Sequence, residues 1–290
     1  MNQLSSIIAA TPAMLPADYL QRLGQSGDGP YDLATAALML ATLDRPDRKP
    51  PAYIAHLAEL AETVRTEFVF VRDAGGAADA LASVIAGRYG YEGERSNYDD
   101  PDNADLMAVI ERRRGLPVTL GILYIHAARA NRIEACGLYS PGHFLLRVQL
   151  KGSEAVIDPF NGGAIIDRDS VGATRFGPSL HLREPGSAEQ MDAFAAVSDS
   201  DVLLRLLNNV KNRALKMRDS ARAAEILHRM ALIAPRRSIL WLELGKLQES
   251  AGALSGARRS YENCLKAGTG GDDICNEAAF ALHALKRRLN

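Results

Sequence analysis

Along the first ninety residues, apolar positions return at helical spacing. Asp32 stands where a cap belongs, ahead of Leu33-Ala34-Thr35-Ala36-Ala37-Leu38-Met39-Leu40, and this Ala- and Leu-rich run stops near Arg45-Pro46. Pro50-Pro51 opens a longer segment in which Leu57, Leu60, Ala61 and Val64 recur at i, i+3, i+4 and i+7, one face of an amphipathic helix. Another helix is expected around residues 77–86, with Leu81, Val84 and Ile85 inward and Gly87 or Gly90 ending it. Residues 1–92 therefore read as a helical scaffold without chemistry of their own.

From Tyr91 to Asp105 the chain turns polar and rich in Asn, Asp and Gly, which predicts a surface loop ending in a helix cap at Asp102 or Asn103. A helix over 104–113 leads into Gly115. Pro117 suits a helix first turn, and Val118-Thr119-Leu120-Gly121-Ile122-Leu123-Tyr124-Ile125-His126-Ala127-Ala128 is apolar almost all round, so this helix should be buried. Beyond Asn131 the period becomes two. Cys136-Gly137-Leu138 starts one strand. Phe144, Leu146, Val148 and Leu150 alternate with Leu145, Arg147 and Gln149 in a second, which opens on Gly142-His143. Lys151-Gly152-Ser153 makes the turn, and Ala155-Val156-Ile157-Asp158 returns. Helices followed by an antiparallel hairpin indicate an α+β domain, with residues 93–186 as its core and a loop-rich tail at 183–187.

Residues 187–290 are all-helical and contain an internal repeat. Trp241, Leu244, Gly245, Ala257, Tyr261 and Cys264 fall at the offsets of a tetratricopeptide repeat, echoed upstream by Ala223, Leu227 and Pro235. A last helix over 274–287 would close the array. Two repeats fall short of the three or more that usually stand alone, so they should pack on the α+β domain.

Composition narrows the functional classes. The 290-residue chain carries 34 Lys and Arg against 35 Asp and Glu, a net charge of -1, which gives no sign of a nucleic-acid partner. The run Arg112-Arg113-Arg114 reads as a solvated helix end, with an anion site as the alternative. Cys136, Cys264 and Cys275 have no zinc-binding or redox-pair spacing, so no metal or cofactor is expected, and their scarcity suits a reducing compartment. Met1-Asn2-Gln3-Leu4-Ser5-Ser6-Ile7-Ile8 lacks the basic start of a signal peptide, and no window approaches the ~20 apolar residues of a membrane span. A cytoplasmic protein without membrane contact is expected.

The residues with chemical potential lie between Arg112 and Gly163. His143 and Asp158 fall on neighbouring strands, opposite each other or within a couple of residues. A carboxylate beside an imidazole fixes its tautomer and raises its basicity, which is the base-and-orienter half of a nucleophilic triad. The same pair can equally be a buried hydrogen bond that locks a hairpin. A nucleophile would belong at the helix start, where the dipole stabilises a thiolate, but Pro117 and Thr119 stand there instead of Cys. Proline removes a possible oxyanion donor as well. Thr119 has a hydroxyl, though a helical Thr more often bonds its own backbone. Cys136, at a strand start, reads as a small buried hydrophobe. Asn161, in the turn Asn161-Gly162-Gly163, either orients His143 or a ligand or simply forms the turn, and Tyr98 and Asp99 could rim the same cleft.

Four motifs in order, Asn97-Tyr98-Asp99-Asp100-Pro101, Arg112-Arg113-Arg114-Gly115-Leu116-Pro117-Val118-Thr119-Leu120, Pro141-Gly142-His143-Phe144-Leu145 and Ile157-Asp158-Pro159-Phe160-Asn161-Gly162-Gly163, resemble the SirB-type branch of the transglutaminase-like superfamily. Bacterial members of that branch join this papain-like core to C-terminal tetratricopeptide repeats, and the resemblance spans roughly residues 30 to 285. Active transglutaminase-like proteins use a Cys at the start of the central helix with a His and an Asp on the following strands. The resemblance carries His143 and Asp158 onto the last two roles and puts Pro117 near the place of the thiol. It thus implies a pseudoenzyme that has kept the pair, with Asn161, Tyr98 and Pro117 lining a binding cleft. A protein or peptide partner, bound through the repeats, is the expectation. The alternative is an amide or isopeptide hydrolase or acyltransferase that uses His143 and Asp158 on water or on Thr119.

Overall fold

The caps and apolar stripes set the first half of the molecule. The structure is a computed structural model that describes residues 14–140, 143–166, 194–269 and 271–289. The N-terminal run 1–8, Pro141, Gly142 and the loop-rich tail at 183–187 lie outside the described residues. Helix α1 covers Pro16–Gln25 and α2 covers Leu33–Asp44, which Asp32 caps by accepting from the Thr35 amide at 3.1 Å. Helix α3, Pro50–Glu67, buries Leu57, Leu60, Ala61 and Val64, the stripe that its spacing predicts. Helix α4, Ala74–Ala82, widens into a π-helical stretch over Ser83–Arg88, and Leu81, Val84 and Ile85 are buried.

The segment after Tyr91 differs from expectation. Asp100 caps a 3-10 turn at Pro101–Ala104, and Asp105 caps α5, Leu106–Arg112, by accepting from the Met107 and Ala108 amides at 2.8 and 3.1 Å. The cap is therefore Asp105, neither Asp102 nor Asn103. Asn103 is fully buried, where its amide donates to the carbonyls of Asn97 and Tyr98 at 2.8 and 3.3 Å. Residues 95–99 are exposed, as a surface loop requires, while these bonds tie the Asn97 and Tyr98 carbonyls to a buried side chain. Strands β1, Glu92–Gly93, and β2, Arg114–Gly115, pair in parallel on either side of α5. The arginine run is also not a simple solvated end. Arg112 donates to Asp100 at 3.0 Å and to Asn103 at 3.1 Å, Arg113 reaches His56 at 2.8 Å, and Arg114 pairs with Glu92.

Helix α6, Pro117–Ala130, is buried on nearly every side, as its uninterrupted apolar pattern requires. It packs against an antiparallel sheet of order β3-β4-β5-β6, made by Glu134–Leu138, Leu145–Leu150, Ser153–Asp158 and Ala164–Ile166. Gly121 on α6 admits the Phe144 ring, since a Cβ there would lie 2.4 Å from it. The second strand starts at Leu145, two residues after His143, so His143 sits in the approach to the strand.

Helices α7 (Asp199–Lys216), α8 (Ser220–Ile233), α9 (Ser238–Ser250), α10 (Leu254–Ala267) and α11 (Gly271–Leu289) follow, each packed on the next. Within α9 and α10, Gly245 faces Tyr261 so closely that a Cβ would stand 2.5 Å from the ring. The main apolar core runs without a break from Leu20 through α2 to α6 and into Val202, Leu206, Ile226, Met230 and Leu244. Leu242, Ala257, Tyr261, Cys264, Ala278 and Leu285 form a satellite core farther along. Helices α7 to α9 thus complete the core of the α+β part, while α10 and α11 bury their apolar faces in the satellite core.

Candidate functional site

Helix α6, strands β4 and β5 and the turn after β5 bring the chemistry-bearing residues together. Leu146 faces Ile157 across the ladder, so continued register sets Asp158 opposite Leu145 and His143 opposite Phe160. His143 and Asp158 are therefore two positions apart along neighbouring strands, within the expected spacing. The carboxylate of Asp158 is nonetheless committed to its own turn. Its Oδ1 accepts from the Phe160 and Asn161 amides at 2.9 and 3.3 Å, and its Oδ2 accepts from the Asn161 side-chain amide. Asp-Pro-Phe-Asn is a capped 3-10 turn, Pro159–Asn161, closed by Gly162 in the left-handed region. Asp158 is only 5% exposed, and this set of N–H donors is what keeps an anion tolerable there.

Asn161 joins two charged groups. Its amide nitrogen serves Asp158, while its oxygen accepts from Arg95 of the loop after β1. The Arg95 guanidinium lies 5.1 Å from the centre of the Phe160 ring, and Phe160 meets Tyr98 edge to face at 6.2 Å between centroids. Tyr98 is 46% exposed. Gly93 is where the aromatic ring needs space, because a Cβ there would lie 2.4 Å from Phe160.

The helix start offers no nucleophile among the residues foreseen for it. Pro117 is half-buried in the first turn of α6. Thr119 is wholly buried, and its hydroxyl donates to the Asn103 carbonyl at 2.8 Å. A hydroxyl sealed from solvent and engaged as a donor cannot meet a substrate carbonyl. Cys136 sits on β3 opposite Arg147 and is half-buried, less enclosed than expected. Cys264 is packed in the satellite core, where burial pushes its thiol up to about 11, away from reactivity. Among the described residues no three His, Cys, Asp or Glu side chains cluster to hold a metal ion, and no helix is long and apolar enough to cross a membrane.

Two groups escaped the sequence reading because they come from distant elements. Tyr124 of α6 is 1% exposed, and its hydroxyl has no hydrogen-bond partner among the described residues. Burial and the nearby Asp158 carboxylate both push its pKa up, so it is a neutral phenol against the Gly163 turn. Arg205 of α7 donates through Nη2 to the His143 carbonyl and, at 3.5 Å, to that of Ser140. Its guanidinium lies 5.5 Å from the Phe144 ring centre. The backbone N–H of His143 also donates to Ser140 at 3.3 Å, so a residue of the C-terminal helices pins the approach to β4.

A buried helix packed on an antiparallel sheet, with His143 and Asp158 at adjacent strand ends and Pro117 at the helix start, is the architecture that the four motifs lead one to expect. The chain belongs to the Transglutaminase-like superfamily, whose profile matches residues 51–208. It is similar to a UPF0162 protein of Xylella fastidiosa (strain 9a5c), 28% identical over 239 residues, covering 82% of this chain and 85% of that protein. A UPF0162 protein of Pseudomonas aeruginosa is 30% identical over 186 residues, or 63% of this chain and 64% of its own length. F-box only protein 21 of Mus musculus is 30% identical over 136 residues, 46% of this chain and 21% of that protein. No solved structure is significantly similar.

Proposed function

We propose that this chain is a SirB-type transglutaminase-like pseudoenzyme carrying tetratricopeptide repeats, which acts in the cytoplasm by binding a peptide or protein segment. The observation that carries the reading is the state of the helix start. Where thiol chemistry needs an exposed nucleophile, Pro117 has none and the Thr119 hydroxyl is buried and donated to Asn103. The engagement of Asp158 by Phe160 and Asn161 supports it, because a carboxylate shared among three N–H donors is a poor partner for raising the basicity of His143. The rim formed by Tyr98, Phe160, Arg95 and Asn161 is suited to hold a ligand rather than to transform one. The repeat-like pairing of Gly245 with Tyr261 supports the tetratricopeptide reading of α9 and α10.

The test is incorporation of a fluorescent primary amine into a glutamine-containing protein substrate, together with release of a fluorophore from amide and isopeptide substrates. Wild type, His143→Ala and Asp158→Asn are expected to match the buffer blank. Turnover by the wild type that disappears in both variants would establish the hydrolase or acyltransferase alternative instead.

A further inference from the structure

Between the α8–α9 connection and the last turn of α10 lies an open pocket of about 440 Å³. It is lined by Pro235 and Arg236 of the connection, Trp241 of α9, and Asn263, Lys266 and Ala267 of α10. None of these six belongs to α6 or to the sheet, so the pocket is separate from the His143–Asp158 pair. Asn263, Lys266 and Ala267 fall at i, i+3 and i+4 and share one face of α10. Pro235, Trp241, Asn263 and Ala267 are half-buried, whereas Arg236 and Lys266 are exposed.

The walls of this pocket are held in place. The Trp241 indole N–H donates to the Pro235 carbonyl at 2.9 Å, which fixes the ring against the connection. Ser238, 1% exposed, donates to the Cys264 carbonyl at 3.2 Å and accepts from the Thr269 amide at 3.1 Å. The Thr269 hydroxyl in turn donates to the Arg236 carbonyl. The connection and the end of α10 are thus joined through Ser238 and Thr269, and the polar ends of Arg236, Asn263 and Lys266 stay outside that joint. Walls fixed before a ligand arrives lower the cost of ordering them on binding.

The lining residues define the chemistry of a ligand. An indole and a pyrrolidine ring offer flat apolar surface to a planar ring. A guanidinium, an ammonium and a side-chain amide supply N–H donors, and the first two also supply positive charge. Lys266 suits the C-terminal turn of its own helix, which accounts for one cation but not for Arg236 across the pocket. The volume lies toward the small end of ligand sites, with room for about one or two fused rings and an acidic group. We propose that this pocket binds a small aromatic acid, a planar ring bearing a carboxylate or a phosphate. The ring lies against Trp241 and Pro235, and the anion is held between Arg236 and Lys266. This site stands independently of the peptide-binding function proposed above.

Trp241 is the single tryptophan of the chain, so one indole N–H signal in the nitrogen–proton NMR spectrum of the full chain reports on the pocket. The probes are benzoate and phenyl phosphate, with benzyl alcohol as a ring without charge and acetate and inorganic phosphate as charge without a ring. The two aromatic acids are expected to shift this signal saturably and to bind about tenfold more tightly than any of the other three. Arg236→Gln and Lys266→Gln should each weaken them about fivefold, the order of one charge-assisted bond open to solvent, while Arg65→Gln on α3 leaves binding unchanged. Both replaced side chains are exposed, and melting curves confirm that each variant is folded. Binding of only one of the two acids upholds the site and identifies its anion. Absence of a saturable shift with both would overturn the assignment. So would benzyl alcohol, acetate or inorganic phosphate binding as tightly as the aromatic acids, or affinities indifferent to both Gln variants.

Discussion

Arg129 on α6 grips Asp199 at the start of α7 through two nearly parallel hydrogen bonds of 2.6 and 2.8 Å, and Asp199 also accepts from the Tyr31 amide at 2.7 Å. Three distant parts of the chain meet at this carboxylate: the N-terminal helices, the central helix of the α+β core and the C-terminal helices. Asp199 is 5% exposed, so its charge depends on these donors. Asp199→Ala leaves Arg129 and the Tyr31 amide without their partner and is expected to cost about 3 kcal/mol of unfolding free energy, read by urea titration. A loss below about 0.5 kcal/mol, the range of an exposed pair, would show that the contact does not hold the parts together.

The same interlock recurs between α1 and α8. At Gly24 a Cβ would lie 2.0 Å from the Leu232 carbonyl oxygen and 2.8 Å from Pro235, so the backbones touch without a side chain between them. Gly24→Ala must push the two helices apart. About 2 kcal/mol of destabilisation is expected, visible as a lowered Tm. An unchanged or raised Tm, as helix propensity alone would give, contradicts this packing.

Stability should fall on mild acidification. Burial lowers the pKa of His56, His126 and His228 below the ordinary 6.5, with Arg113 adding to the effect at His56 and Arg229 and Arg259 at His228. A guanidinium only donates, so His56 Nε2 must accept from Arg113 at 2.8 Å, which requires the neutral ring. The unfolded chain then takes up more protons than the folded one once the pH drops through about 6.5, and stability declines from there down to the folded-state values. Denaturation midpoints should be level above about pH 7.5 and decline towards pH 5. His56→Gln, which keeps an acceptor without titrating, should reduce the decline. A pH-independent midpoint would argue against neutral buried histidines.

Much of this architecture was legible in residue spacing. The stripe Leu57, Leu60, Ala61 and Val64 is buried as read, Asp32 caps α2, and the all-apolar α6 lies at the centre. The acidic run from Asp99 to Asp105 was harder, because each Asp is a chemically adequate cap. Burial of Asn103, a tertiary effect, decides between them. Strand β6, three residues long, has too few positions to display alternation. At the hairpin, the period of two placed His143 and Asp158 within two positions of register, but the direction of the Asp158 carboxylate follows from the turn. The Asp-Pro-x-Asn spelling of a capped turn carries that signal. Arg95 and Arg205 had no local signature, since each matters only through what a remote segment brings to it.

The Asp158 turn gives a sharper separation of structural and catalytic roles. Asp158→Ala removes the acceptor of two backbone amides and of the Asn161 side chain. A loss of about 1–2 kcal/mol is expected from the missing cap, and Asn161→Ala should lose less, because only the side-chain bond goes. Equal stability of Asp158→Ala and wild type would release this carboxylate for a role on His143.

Removing the C-terminal helices is not a clean way to probe them, because Val202, Leu206, Ile226 and Met230 belong to the main core. Point variants in the intact chain are the informative route. The decisive one concerns nucleophilicity. Intact-mass spectrometry of the native full chain after brief exposure to a thiol- and hydroxyl-directed electrophilic probe, with a urea-unfolded sample alongside, reads every reactive group at once. The binding-protein reading predicts no rapid stoichiometric adduct on the native chain and no difference between wild type and His143→Ala. A fast adduct on Cys136 or Thr119 that vanishes in His143→Ala would contradict it and reinstate a covalent enzyme.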